Sequence, residues 1–376
     1  MTRVVIAPDS FKGTITAADA VTALTVGWHS VDPSADICAR PMADGGEGTL
    51  DAFAAVHPEA EYRTVTITGP DGFEIEALWL YLPPTPDAAH GTAVIDVAST
   101  VGIELLTELL PLDADTTGFG EAIAAALDEG VSRIIVGIGS SSSTDGGTGM
   151  LRALGARFID AEGEETPSGA RGLTDIVAVD MSQMRPAPEV LVLTDVTNAL
   201  VGRRGAARVF GPQKGLSSAA DIGRTDAALA KLARLLEVDA RTPGSGAAGG
   251  LGAALLAWGG RLVPGAHEVA ELIKLDAAVH DADIVITGEG SFDGQSGAGK
   301  VPAYVAEMAA RAHVPVALVA GRITPDAHTD AFVATASLTE LAGTADAAMN
   351  DAAHWLEQAG ADLARRIGRA AGAYGT

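Results

Sequence analysis

The chain has 376 residues, 47% of them hydrophobic, a net charge of −24 at pH 7 and a single cysteine, Cys38. Such an acidic excess repels nucleic acid and anionic membranes, and one cysteine excludes a disulfide framework and fits a reducing cytoplasm. It repels anionic metabolites too, so a phosphate or carboxylate ligand needs cations placed locally.

The opening "MTRVVIAPDSFKG" runs straight into a strand, with no signal-peptide core, and no stretch reaches the roughly 20 apolar residues of a membrane helix. Strands are predicted at 3–8 and 35–41, with a helix at 16–30 between them. Residues 61–97 differ. Two strand-like runs flank a "GPDG" turn and "TAVIDVAS" follows, which is the chemistry of an antiparallel sheet. Helix 116–129, strand 133–139, strand 189–195 and helices 217–236 and 251–260 come next. Strand 282–290, helix 300–312, strand 314–321 and one long helix at 344–371 complete the chain.

Continuous Val/Ile runs alternating with helices indicate an α/β fold with largely parallel, buried strands. The antiparallel patch marks a second domain beginning near residue 65, and the βαβ unit near 283 marks a return to the first. The predicted division is therefore 1–64 with 283–376 as one discontinuous domain, and 65–282 as an inserted α/β domain with a mixed sheet. Ligands of such sheets bind beyond the carboxyl ends of the strands.

Only five of the 25 basic residues are lysines. Lys12, Lys214 and Lys300 lie in Gly/Ser/Pro-rich connections, where a compact ammonium suits a phosphoryl oxygen. In "GIGSSSSTDGGTGM" a strand feeds a serine-rich turn and then a helix, so hydroxyls and backbone N–H groups gather at one helix start. That predicts phosphate contacts from Ser140, Ser141, Ser142, Ser143, Thr144, Gly146 and Gly147. The competing reading is a loop with Asp145 as helix cap. "GSGAAG" (244–249) has the dinucleotide spacing but follows a helix and a Pro-containing loop rather than a strand. Its remaining readings are a glycine-rich anion site that includes Gly249, or close helix packing.

"GQSGAGKV" (294–301) matches a P-loop except at Val301, which lacks the hydroxyl for Mg²⁺. The preceding strand is predicted to end near Gly288, with "EGSFD" intervening, and Pro302 fits the first position of the next helix. The segment therefore reads as a different anion site. Glu289 and Asp293 supply carboxylates there, Gln295 and Ser296 hydrogen bonds, and Lys300 a positive charge. Asp9, Asp44, Glu47 and Asp195 also stand at strand ends.

Taken in order, "VIAPDSFKG", "PMADGGEGTLDA", "GIGSSSSTDGGTGMLRALGA", "DVTNALVGRRGAARVFGPQKG", "GSGAAGGLGAAL" and "TGEGSFDGQSGAGKVP" resemble the successive motifs of the type I glycerate kinases, over residues 3–322. The chain departs from the family pattern in its loop, "GSSSSTDGG" against G-G-S-A-T-N-D-G-G, and in Ala199, where the family has Pro. The resemblance implies ATP-dependent phosphorylation of D-glycerate to 2-phosphoglycerate, with 3-phosphoglycerate as the alternative product. It also implies a discontinuous Rossmann-like domain, a second inserted α/β domain and a cleft at their junction.

Within that reaction, strand-end chemistry places glycerate against Asp9, Ser10, Lys12, Asp44, Gly45, Gly46, Glu47 and Thr49. Asp195 is read as catalytic base or metal ligand, Asp195, Glu289 and Asp293 as candidate Mg²⁺ ligands, and Lys214 and Lys300 as cations for the phosphates. Two other classes stay open: a nicotinamide-dependent 2-hydroxy-acid oxidoreductase and a non-catalytic sugar-acid sensor. The expected partners are D-glycerate and ATP, without nucleic acid or membrane. A homo-oligomer is allowed.

Overall fold

The computed structural model describes residues 1–294 and 300–373, and side chains as far as residue 368. Gln295 and Ser296, read above as hydrogen-bonding residues, lie outside the described residues. The strands are β1 (Arg3–Ile6), β2 (Asp36–Ala39), β3 (Glu61–Thr68), β4 (Glu74–Leu82), β5 (Thr92–Asp96), β6 (Arg133–Gly137) and β7 (Arg157–Ile159). They continue with β8 (Ala178–Asp180), β9 (Glu189–Leu193), β10 (Arg261–Val263), β11 (Ile284–Phe292), β12 (Val316–Ile323) and β13 (Ala334–Ser337).

The chain splits into two compact units, one of Met1–Asp44, Asp51–Pro58 and Ala266–Thr376, the other of Gly45–Leu50 and Glu59–Gly265. Their bounds differ from the 64/65 and 282/283 divisions read from the sequence. The helical run after Ala266 belongs to the first unit, and Gly45–Leu50 to the second. The reason for the latter is local. Gly139 N–H donates to the Gly45 carbonyl at 3.0 Å, and a Cβ on Gly137 would collide with that same carbonyl.

In the first unit five parallel strands run in the order β13-β12-β11-β1-β2. Counted along this unit alone, that is the doubly wound 2-1-3-4-5 arrangement, not the six-stranded 3-2-1-4-5-6 one, and its switch point lies at β1 and β11. Val4, Ile6, Ile284, Ile286 and Val319 fill the core with Leu24, Trp28, Leu356 and Leu363. Helices Ala17–His29 and Ala352–Ala373 approach so closely that a Cβ on Gly27 would meet the Glu357 carbonyl.

The single helix predicted over 344–371 is two helices, Ala345–Asn350 and Ala352–Ala373. The Thr344 hydroxyl accepts from Ala347 N–H and starts the first. Asp351, at φ −144° and ψ 56°, breaks the run, and its carboxylate accepts from His354 N–H.

The second unit carries a six-stranded sheet in the order β10-β9-β6-β5-β4-β3, in which β5, β6, β9 and β10 are parallel. β3 and β4 pair antiparallel through the predicted turn, closed by Gly69 N–H on the Phe73 carbonyl. Trp79, Phe119, Ile123, Phe158, Leu229 and Leu251 are among its buried core. Strands β7, β8, β10 and β13 are three or four residues long, too short to leave a periodic signal.

Candidate active site

The switch point of the first unit opens into a cavity of about 460 Å³, within the range of small-molecule pockets. The chain continues to pair with β11 past β1, with Ala7 N–H on the Ile286 carbonyl and Asp9 N–H on the Gly288 carbonyl. This pairing brings Asp9 and Ser10 to the cavity wall, with Asp44, Glu289, Lys12 and Lys300. Phe11, buried, anchors a tight turn in which Thr14 N–H donates to its carbonyl, so Lys12 projects outward on the exposed side.

The electrostatics of this wall are dominated by carboxylates. Burial holds the Asp9 carboxyl well above the usual carboxylate range, and the charge of Asp44 adds to it. The Ser10 N–H on Asp9 Oδ1 at 2.7 Å and the Lys12 charge oppose that shift, while Glu289 reinforces it. Glu289, 7% exposed, pairs with Lys300, its Oε2 lying 3.6 Å from Nζ. The Ser10 hydroxyl is buried and has no hydrogen-bond partner among the described residues.

β11 is longer than predicted. It runs to Phe292, held by pairing of Ser291 with Arg322 and Phe292 with Ile323, so Glu289 sits within the strand rather than after it. Asp293 follows the strand and is not part of the cavity wall. Lys300 occupies the cap position of helix Val301–Arg311, and Pro302 takes the second helical position, one later than predicted. Val301 is buried, as befits a packing residue rather than a metal ligand.

Of the 44–49 segment, Asp44 alone lines this cavity. Gly45 and Gly46 belong to the second unit, beside Gly137 and Gly139. The Thr49 hydroxyl donates to the Gly46 carbonyl at 2.7 Å, which makes it a brace of its own loop. Glu47 is half-buried in the same loop.

In the second unit the serine-rich turn follows β6, as predicted, but its polar groups are turned inward. Asp145 is fully buried and accepts from Thr116 N–H and hydroxyl, the Ser143 hydroxyl, Gly147 N–H and Gly149 N–H. The Thr116 hydroxyl in turn accepts from Met150 N–H. The helix start expected to receive phosphate is thus already satisfied by two side chains. Ser142 donates to the Val101 carbonyl, Ser140 adopts φ 58°, and the Thr144 hydroxyl is buried without a partner among the described residues.

Lys214 is likewise an interior residue, 2% exposed. Its Nζ donates to the Ser141 hydroxyl at 2.7 Å and to the Ser143 carbonyl at 2.6 Å. Burial pushes its ammonium down to about 7, against a smaller upward pull from Asp145. A lysine so enclosed braces the turn. It does not offer the open phosphate contact read from the sequence.

Gly249 packs on the same turn. A Cβ there would strike the Ser143 carbonyl, and its own carbonyl accepts from Gly146 N–H. With helix Ala219–Leu235, not a strand, preceding it, "GSGAAG" serves as packing and not as a dinucleotide fingerprint. Asp195, exposed after β9, accepts Gly265 N–H at 2.9 Å and thereby caps helix Gly265–Leu272.

Sequence reading missed much of the cavity wall, contributed by Gly321 and Arg322 at the end of β12 and by Leu338, Ala345, Ala348, Met349 and Ala352 after β13. The alanines look like ordinary helix formers, so composition carries no signal for them. It also missed Thr116 as the partner of Asp145, since nothing in the sequence links positions 29 residues apart.

Three carboxylates on one wall, one of them pushed upward by burial and then by the charge of the others, suit a hard divalent cation such as Mg²⁺. Two lysines beside them suit anionic oxygens.

Comparison with known proteins agrees across the chain. The description of the Glycerate kinase family matches residues 4–368. Glycerate 2-kinase of Escherichia coli (strain K12) is 40% identical over 364 residues, covering 93% of this chain and 94% of that protein. Glycerate kinase of Bacillus subtilis (strain 168) is 37% identical over 379 residues, covering 97% of each. A crystal structure named provisionally as glycerate kinase 2 from Salmonella typhimurium LT2 superposes with a TM-score of 0.82 at 38% identity, covering 98% of this chain and 99% of that one. Among the described residues no helix is long and apolar enough to cross a membrane.

Proposed function

Because the chain belongs to the glycerate kinase family and is a phosphotransferase, we propose that it transfers the γ-phosphoryl group of ATP to D-glycerate and yields 2-phosphoglycerate. The observation that carries this reading is the wall of Asp9, Asp44 and Glu289 with Lys12 and Lys300 at the switch point of the first unit. Phosphoryl transfer asks little covalent chemistry of a protein. It asks for a metal bridging phosphate oxygens, cations on the developing charge, and a group that orients the attacking hydroxyl.

In this proposal Asp9, Asp44 and Glu289 hold Mg²⁺, which when bound neutralises the phosphate oxygens. Lys300, kept in place by Glu289, faces the transferring phosphoryl group. Lys12 and the Ser10 hydroxyl meet glycerate. Asp195 remains the proposed base or a further metal ligand, its carboxylate oriented by Gly265 N–H. The Lys214–Asp145 network keeps the serine turn rigid, and that this turn serves the same reaction is part of the proposal.

The test is a coupled assay of D-glycerate with Mg-ATP, detecting ADP and identifying the product by ³¹P spectroscopy. Stoichiometric ADP with 2-phosphoglycerate is expected. Absence of ADP release overturns the kinase reading, and 3-phosphoglycerate as sole product overturns the regiochemistry alone. A nicotinamide absorbance change with glycerate would instead favour the oxidoreductase.

A further inference from the structure

The cavity of the first unit is larger and less polar than glycerate requires. Every carbon of glycerate carries an oxygen, so it has no apolar face to bury. Yet one end of the cavity is built from Leu338, Ala345, Ala348, Met349 and Ala352. Strand order locates the two ends. Asp9 follows β1 and Glu289 lies on β11, whereas Leu338 directly follows β13. β1 and β13 are separated by three strand spacings, or roughly 14 Å. That matches the reach from a nucleobase to the terminal phosphate of an extended nucleoside triphosphate.

We infer that the apolar end of this cavity, at Leu338, Ala345, Ala348 and Met349, is the subsite for the nucleobase of the phosphoryl donor, with its phosphates directed along the sheet edge toward Lys300. The inference rests on the kinase reading above and moves the donor from the serine-rich turn to the first unit. Three observations carry it. Ala345, Ala348 and Ala352 present small side chains to this end of a cavity of about 460 Å³, and Met349 beside them carries a polarizable thioether that suits a ring face. The Ser10 hydroxyl, 4% exposed and without a partner among the described residues, lines the same cavity at the polar end, where a phosphate or substrate oxygen would satisfy it. Lys300 stands at the start of the eleven-residue helix Val301–Arg311, an end whose dipole favours anions. The serine turn, by contrast, has its helix start occupied by Asp145 and Thr116.

The test fills this end from its exposed side, where folding is least disturbed. Ala345 and Met349 are both exposed. Ala345→Trp and Met349→Trp are each measured for Kd of ADP, Kd of tripolyphosphate, KM of ATP and D-glycerate, and Tm, beside the unmodified enzyme. Base stacking accounts for about tenfold or more in affinity. We expect ADP and ATP to weaken by about that factor in at least one variant, with tripolyphosphate binding, glycerate KM and Tm unchanged. If the unmodified enzyme turns over and ATP and ADP affinities are unchanged in both variants, the subsite is refuted while the kinase stands. If tripolyphosphate and ADP weaken equally, the end binds phosphate and the inference also fails. If the unmodified enzyme releases no ADP with glycerate, the kinase reading fails and the inference with it.

Discussion

The Nζ of Lys214 donates to the backbone carbonyl of Ser143 at 2.6 Å, inside a unit where neither residue is more than 2% exposed. This contact converts a loop that looks like a ligand site into an internal scaffold. It also ties folding to a titration. The ammonium's folded value of about 7 lies below the ordinary 10.5 because burial disfavours the charge.

Stability should therefore depend on pH above neutrality. Between about 7 and 10.5 the unfolded chain holds a proton on Lys214 that the folded chain has released, so stability rises with pH. The limiting slope is about 1.4 kcal/mol per pH unit. Below about 7 both states are protonated and the contribution is constant. Denaturant titrations of Lys214→Met between pH 7 and 10 should show a flatter slope than the parent, and an unchanged slope would place the titration elsewhere.

Asp145→Ala strips the acceptor from five donors at once, two of them backbone N–H groups at the start of helix Thr148–Ala153. Leaving buried donors unsatisfied typically costs about 1–3 kcal/mol each before relaxation. We expect Tm to fall by roughly 5 °C or more. A Tm within about 1 °C of the parent, on the same scale, would mean water replaces the carboxylate.

Asp195→Asn separates two roles of one side chain. Asparagine caps helices as well as aspartate does, so the contact with Gly265 N–H survives and Tm should hold. The negative charge is lost. As base or metal ligand, Asp195 predicts a kcat loss of about a hundredfold or more. Normal turnover at saturating Mg-ATP would leave capping as its role.

Lys300→Met removes the partner of the nearly buried Glu289 and the cation proposed for the phosphates. Expected is a kcat decrease of at least about tenfold, the scale of one charge-assisted contact, with glycerate KM little changed. Lys12→Ala should do the reverse and raise glycerate KM more than ATP KM. If Lys12→Ala leaves glycerate KM intact, Lys12 is not a substrate residue.

Much of this was legible in the amino-acid order. Runs such as "RVVIAP" and "ADIVITGEG" are apolar throughout because parallel strands are covered on both faces, and the rule that ligands gather at their carboxyl ends led directly to Asp9, Ser10, Lys12, Asp44 and Glu289. All five line one cavity. What the amino-acid order could not convey was which polar groups are already spent. "SSSSTDGG" reads as a set of open polar groups, yet Ser142 donates to the Val101 carbonyl, Ser143 and Gly147 donate to Asp145, and Lys214, about 70 residues away, donates to the Ser141 hydroxyl and the Ser143 carbonyl. Lys214, in a glycine-flanked "PQKG" that resembles a surface loop, is enclosed. Ala345 and Met349, ordinary in sequence, acquire meaning only because β13 brings them to the far end of the cavity that begins at β1. Local patterns encode period, turns and caps because these depend on near neighbours. Hydrogen-bond saturation and cavity shape depend on distant ones, and only packing brings those together.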